Sequence, residues 1–236
     1  MKKYLLLLTF LSVIGNAQIV RKYSNEFLNI GAGAKGLAMG GAVISNQNDV
    51  YAPMWNPAGL TEIDRDWQGA AMHAEYFESI AKYDYISFAK ALDSNDGVLG
   101  ISIVRLGVDN ILNTTQMIDS EGNIDYDKIS KFSTSDYAGV ISYAFHPAGK
   151  EKLSVGVNAK IVYRNIGKFA NGFGFGFDAG AIYRADSGYQ FGAMLRDATT
   201  TVNFWSINQK ELSAVDRKST RLNSSHSRAS RMPSSA

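Results

Sequence analysis

Four groups of residues in this chain have types and spacings that could carry chemistry. Gly31-Ala32-Gly33-Ala34-Lys35-Gly36 fits G-x-G-x-x-G, the glycine pattern that lets backbone amides approach a pyrophosphate. That chemistry needs a strand before the motif, a helix after it and an acidic residue about 20 positions on. The nearest acidic residue beyond it is Asp49, and the sequence that follows turns to strand patterns, so close packing of flexible turns is expected instead. Asp119, Glu121, Asn123, Asp125 and Asp127 place oxygen ligands at every second position, as a calcium loop would. The glycine and glutamate that such a loop wants at its sixth and twelfth positions are replaced by Ile124 and Ser130, which points to a solvated acidic loop. His73, His146 and His226 sit in no nucleophile or zinc motif, and there is no cysteine, which excludes thiol catalysis and zinc–thiolate sites. Asn158, Lys160, Arg164 and Asp178 fall in phase on one side of two strand-like runs, where they are expected to face a wet barrel interior. No catalytic, cofactor-binding or metal-binding constellation stands out, and an enzyme is not expected.

The elements that position these residues are read from period-two alternation. Leu153, Val155, Val157, Ala159, Ile161 and Tyr163 share one face of a run, and Ser154, Gly156, Asn158, Lys160, Val162 and Arg164 share the other. In the next run Phe173, Phe175, Phe177, Ala179, Ala181 and Tyr183 oppose Gly174, Gly176, Asp178, Gly180 and Ile182. Each run is about 11 residues, the length of a tilted membrane strand rather than the roughly 5–6 residues of a soluble one. Further strands are expected near 66–77, 83–91, 97–106, 135–145 and 189–204. A soluble sandwich would turn its large apolar residues inward and show turns at closer spacing. The fold class expected is therefore all-β: an antiparallel transmembrane β-barrel of which about seven strands are visible. Short turns at 92–96, 146–151 and 185–188 would face the periplasm, and the long connection at 107–134 the outside. Residues 18–65 are Gly- and Ala-rich without sustained alternation; they form either an arm outside the wall or a plug inside it.

The two ends need separate treatment. Met1-Lys2-Lys3, the apolar run Tyr4–Ile14 and Gly15-Asn16-Ala17 have the layout of a signal peptide over 1–17, so export is expected. Asp216 to His226 back-translates to a common sequencing-library adapter, and Ser230 to Ala236 continues it. Residues 216–236 are thus expected to be an artefactual tail, with the native wall, 66–215, continuing beyond Val215. Residues 216–236 hold five Lys/Arg and one Asp, and residues 1–17 two Lys; removing them from 24 basic and 22 acidic residues leaves 17 against 21. The net charge moves from +2 to about −4, which leaves no support for a nucleic-acid partner.

The segment Asn25 to Ala42, which contains Phe27-Leu28-Asn29-Ile30-Gly31 and Met39-Gly40-Gly41, is followed by Trp55-Asn56-Pro57-Ala58-Gly59-Leu60. This pairing resembles the opening of PorV/PorQ-family proteins, and more loosely the FadL-like barrels; Arg196-Asp197-Ala198-Thr199-Thr200-Thr201 is similar to the family's middle. The resemblance implies a 14-stranded FadL-like barrel in the bacterial outer membrane, embedded in its lipid. It also implies a binding or shuttling role in type IX secretion, with cargo proteins, other secretion components and a sortase-like protease as partners. The alternative is a FadL-like channel for hydrophobic small molecules. The Asn56–Leu60 motif would hold the N-terminal segment against the wall, with Trp55 and Leu60 as anchors: a structural role.

Overall fold

The computed structural model describes residues 25–63, 66–92, 97–118, 122–148, 150–198 and 202–209. The expected leader at 1–17 and tail at 216–236 lie outside these residues, as do Asp119, Glu121 and Thr199–Thr201 of the segments named above.

One antiparallel sheet dominates. Its strands are β1 (Trp67–Tyr76), β2 (Ala81–Ala91), β3 (Val98–Asn113), β4 (Ser130–Phe145), β5 (Leu153–Ile166), β6 (Ala170–Arg184), β7 (Gln190–Leu195) and β8 (Val202–Ile207). Each of β1 to β6 pairs with the next, and β7 and β8 both pair with β6. β7 lies along Ala179–Arg184 and β8 along Ala170–Phe175, so the two are collinear halves of one position. Eight strands thus fill seven places in a curled half-barrel. The expected strand at 189–204 is corrected to this interrupted one, with the break beginning at Arg196.

Two other boundaries differ from the sequence reading. β3 and β4 run on to Asn113 and back from Ser130, so the connection expected at 107–134 narrows to 114–129. A bulge between Val108 and Ile111 with Asn110 at φ +59° shifts the register there, which breaks the period-two signal without ending the ladder. The β1–β2 hairpin closes over Phe77–Ile80, with Phe77, Glu78 and Ser79 all in the left-handed region. Such conformations cost roughly 1–3 kcal/mol each in non-glycine residues.

The alternation sorts each strand into two faces, and burial identifies them. On β5 and β6, Ser154, Gly156, Asn158, Lys160, Val162, Gly172, Gly174, Gly176, Asp178, Gly180 and Ile182 are buried. Their neighbours Val157, Ile161, Tyr163, Phe173, Phe175 and Phe177 are exposed. A mostly small and polar set therefore lines the concave side of β5 and β6, whereas β2 and β3 turn Tyr83, Tyr85, Val98 and Val104 to that side. In its middle rows the convex side is apolar, with Ile86 60 %, Ile101 51 %, Ile103 55 % and Ile141 55 % exposed. On β5 and β6 this inverts the arrangement of a soluble sheet, in which the large apolar side chains turn inward.

The registers align convex residues into rows across the sheet. Phe88, Ile101, Ile141, Ala159 and Phe177 make one row, and Ile86, Ile103, Gly139, Ile161 and Phe175 the next. The row beyond reads His73, Asp84, Arg105, Tyr137, Tyr163, Phe173.

Against the concave side packs the described part of the N-terminal segment. It holds two short helices, α1 (Ala34–Ala38) and α2 (Ala52–Trp55), and 3₁₀ turns at Glu26–Ile30 and Pro57–Glu62. Phe27, Leu28, Val43, Met54 and Trp55 join Tyr83, Tyr85, Val104, Ala138 and Val162 in one buried cluster; Val50, Ala52 and Leu60 join Ala89, Val98 and Ala144 in another. The segment thus lies inside the curl, as a plug. Among the described residues no helix is long and apolar enough to cross a membrane.

Candidate functional site

Trp55–Leu60, Asn158, Lys160 and Asp178, singled out in the sequence, meet along the seam between plug and wall. Its lower part is built by Trp55–Leu60. Pro57 starts a 3₁₀ turn, where its missing amide hydrogen is no loss, and Asn56 caps that turn: its Oδ1 accepts from the Ala58 amide at 3.1 Å. The Asn56 Nδ2 then donates to the Ile44 carbonyl at 2.8 Å, to Ala181 at 3.2 Å on β6 and to Ala193 at 3.3 Å on β7. One side chain thereby joins the turn, the plug and two wall strands. Thr61 Oγ1, which donates to Ala58, also lies 2.8 Å from Ser154 Oγ on β5.

This approach is close enough to require glycine on the wall. A Cβ at Gly156 would stand 2.3 Å from the Ala58 nitrogen and 2.4 Å from the Pro57 carbonyl carbon, and one at Gly180 would stand 2.0 Å from Asn56 Oδ1. At Gly59 it would meet the Gln47 carbonyl oxygen at 1.8 Å, and at Gly192 the Ile44 oxygen at 2.7 Å. The concave glycines are therefore a cradle shaped to backbone.

The G-x-G-x-x-G segment has a related role. Gly31 and Gly36 lie flat against the Trp55 indole, and Gly33 lies against Tyr51. The Trp55 Nε1 donates to the Ala32 carbonyl at 2.7 Å. The glycines make room for an aromatic ring, and Gly31 (φ +80°) supplies a backbone bend as well. Of the three motif residues at 39–41, Gly41 packs on the same ring, whereas Met39 is exposed and Gly40 has open space around its Cα. Met39 and Gly40 thus lie away from the seam.

The upper part of the seam is polar. Lys160 is 6 % exposed and Asp178 5 % exposed. The Lys160 Nζ donates to Asp178 Oδ1 at 2.6 Å and to Asp197 Oδ1 at 2.7 Å. Asp178 also accepts from the Asp197 amide at 2.9 Å and from Asn158 Nδ2 at 3.0 Å. Asn158 donates in turn to the Pro53 carbonyl of the plug at 2.9 Å and accepts from Ser142 Oγ at 2.7 Å. Arg196 reaches the plug directly, through Asn29 Oδ1 at 2.9 Å and the Met54 carbonyl. A cavity of about 20 Å³ among Asn25, Leu28, Met54, Lys160, Arg196 and Asp197 has room for about one water.

Arg164, the fourth residue placed on this face, lies apart from the cluster. It pairs with Asp136 at 3.0 Å and holds its guanidinium 5.8 Å from the Phe27 ring centre. Beside the plug's outer surface, Tyr51 stacks on Tyr85 at 5.3 Å, and burial, aided by Asp49, raises the Tyr51 phenol above its ordinary pKa.

The polar groups of the seam are engaged with one another and with plug backbone. The buried carboxylate of Asp178 is occupied by three donors, and no nucleophile stands beside a free base among these residues. Asp125 of the acidic loop caps a short turn by accepting from the Asp127 amide at 3.1 Å, and no three His, Asp or Glu among the described residues gather as a metal site. His73 is exposed on the convex face, and the His146 Nδ1 donates to the Leu153 carbonyl at 3.1 Å.

Sequence reasoning missed Arg196 and Asp197 as seam residues and Gly156, Gly180 and Gly192 as a cradle. A charged pair in the middle of a strand-like run is the signal that marks the first, and glycines repeating in phase with polar residues mark the second.

Comparison with known proteins returns no match: no family model, no curated protein and no solved structure is similar to this chain.

Proposed function

We propose that this chain is the plugged wall of an outer-membrane β-barrel that serves as a protein-binding component of type IX secretion, handing secreted cargo to a sortase-like partner. The observation that carries the membrane part is the exposed apolar band of the sheet: large aliphatic and aromatic side chains stand exposed on its convex side, while its concave side is covered by the plug, through apolar contacts on β2–β4 and through glycines and a paired charge cluster on β5–β6. The strands β1 to β6, of 10 to 16 residues, suit a tilted crossing. Among the described residues β1 and β7/β8 have no outer partner strand, and in lipid such edges call for further strands, because lipid does not tolerate unpaired backbone groups. The secretion role rests on the N-terminal motifs, Phe27–Ala42 and Trp55–Leu60.

A FadL-like uptake channel for hydrophobic molecules is the second reading. It is weakened by the seam: where such a channel needs an apolar cavity, the concave side carries Lys160, Asp178, Asp197 and Arg196. A wider recess at the turn end, bounded by Ile63, Leu92, His146, Lys150, Glu151 and Tyr183, is mixed in character.

The membrane reading is tested with the full-length gene product, which should need detergent, show β-rich circular dichroism and run as a heat-modifiable gel band. The secretion reading is tested by deleting the gene. Cargo should accumulate in the periplasm or fail to attach to the surface; normal export and attachment, in a strain lacking paralogues, would remove the proposal. Impaired uptake of long-chain hydrophobic compounds with normal export would favour the channel.

A further inference from the structure

Resting on the membrane reading above, we infer that the convex face meets a bilayer of uneven thickness, with the headgroup layer drawn inward against β1–β3 and standing at full height against β5–β6. The evidence is a change of character along a single row. His73, Asp84 and Arg105 share that row with Tyr137, Tyr163 and Phe173, so all six sit at the same level of the ladder. On β1–β3 the level is ionic; on β5–β6 it is aromatic.

Strand tilt alone does not produce this. A tilted strand shifts both boundaries of an apolar band in the same direction from one strand to the next. Here the band widens at both ends. On β2 the outward apolar residues between Asp84 and Lys90 are Ile86 and Phe88. Six residues at about 3.3 Å each, tilted by about 40°, separate those two charges by roughly 15 Å along the membrane normal. On β5 the outward run Leu153, Val155, Val157, Ala159, Ile161, Tyr163 spans ten residues, or about 25 Å along the normal, the height of an ordinary outer-membrane band. β3, with Leu99, Ile101 and Ile103 below Arg105, and β4, with outward positions from Phe145 to Tyr137, fall between.

The occupant that fits the ionic sector is the polar headgroup layer. The charges are already partnered within the sheet: Asp84 lies 2.6 Å from His73 Nδ1 and 2.9 Å from Arg105 Nη1, Glu75 lies 3.3 Å from His73 Nε2, and Lys82 lies 3.4 Å from Asp109. A self-neutralised, half-exposed ladder suits zwitterionic headgroups and water. It is a poor fit to acyl chains, which would raise the cost of every one of these charges. Drawing headgroups down beside it is the ordinary response of a bilayer to a short apolar surface.

The chain contains no cysteine, so single cysteines report cleanly on depth. In the full-length protein in phosphatidylcholine vesicles, a membrane-impermeant maleimide supplied on both sides should label H73C, with E75C as a second reporter, at least tenfold faster than Y163C and F173C. At the opposite end of the band it should label K90C at least tenfold faster than V157C of the same row. Fast labelling at one end only is the signature of tilt and would overturn the uneven boundary. I103C and I161C, one row lower, should both be protected. Equal protection at 73, 75, 163 and 173 would overturn the uneven boundary. Fast labelling of 73 and 75 in vesicles but protection in native membranes would overturn lipid as the occupant and assign the sector to a protein. If I103C and I161C label as fast as H73C in vesicles, the membrane reading itself falls.

Discussion

Replacing Gly156 by alanine is expected to unseat the plug. The added Cβ would stand 2.3 Å from the Ala58 nitrogen, 2.4 Å from the Pro57 carbonyl carbon and 2.8 Å from the Ala58 Cα, all backbone atoms that no rotamer change can move. Ordinary contact begins near 3.4 Å, so the turn must retreat by about 1.1 Å. Contacts now at 2.8 to 3.3 Å, the three donated by Asn56 and the Thr61–Ser154 pair, would then stretch beyond hydrogen-bonding range. Overpacking alone costs about 1–3 kcal/mol, and each buried hydrogen bond lost adds about 1 kcal/mol. Partial relaxation leaves an expected destabilisation of roughly 2–5 kcal/mol. The control is Gly139→Ala, on the convex face of β4, where a Cβ meets nothing within 4 Å; there the change should stay within about 0.5 kcal/mol. Urea unfolding of the detergent-folded full-length protein, with protease cleavage at Lys35 as the readout of plug release, compares the two. Equal midpoints and equal cleavage would refute the idea that the concave glycines are a backbone cradle.

Asn56→Ala should lower stability by about 2–3 kcal/mol through loss of a cap and of shared carbonyl contacts, and Asn56→Asp by more, because it sets a carboxylate against the Ala181 and Ala193 carbonyls; unfolding midpoints rank the two. Lys160→Met leaves Asp178 and Asp197 buried without their cation and should cost about 3–5 kcal/mol, with Lys160→Met/Asp178→Asn recovering part of it; a double-mutant cycle in the same assay measures the recovery. Tyr51 has its phenol raised in the folded protein, so its contribution is fully present below the ordinary tyrosine pKa and is lost as pH rises through the folded value. The alkaline limb of the stability profile should therefore flatten in Tyr51→Phe, and the difference phenolate titration between the two proteins should place Tyr51 above free tyrosine.

Much of the wall was legible because alternation is a local property. Leu153–Arg164 and Phe173–Tyr183 carry an uninterrupted period of two, and both faces emerge as the residues divide them. The reading stopped early at 106 because Asn110 inserts a residue out of phase, and a bulge ends the pattern before it ends the strand. It ran too far at 189–204 because Arg196 and Asp197 turn out of the ladder toward the plug, a tertiary demand with no periodic trace. In the seam, the residue types of Asn56, Lys160 and Asp178 were visible, but their partners were not. Pro53, Ala181 and Ala193 contribute backbone carbonyls and Asp197 a carboxylate from the break between β7 and β8, and nothing local names them.

Asn56 ties its turn to Ala181, 125 positions on, and to Ala193, 137 positions on. Closing loops of that length before any strand has paired would cost chain entropy with little returned, so those contacts can form only once β6 and β7 stand side by side. The part of the chain made early is therefore seated late. Until then Trp55, Leu60 and Phe27, all destined for burial, travel uncovered beside a growing sheet. The interval before seating is when this protein is most exposed to aggregation and proteolysis, and most in need of an escort.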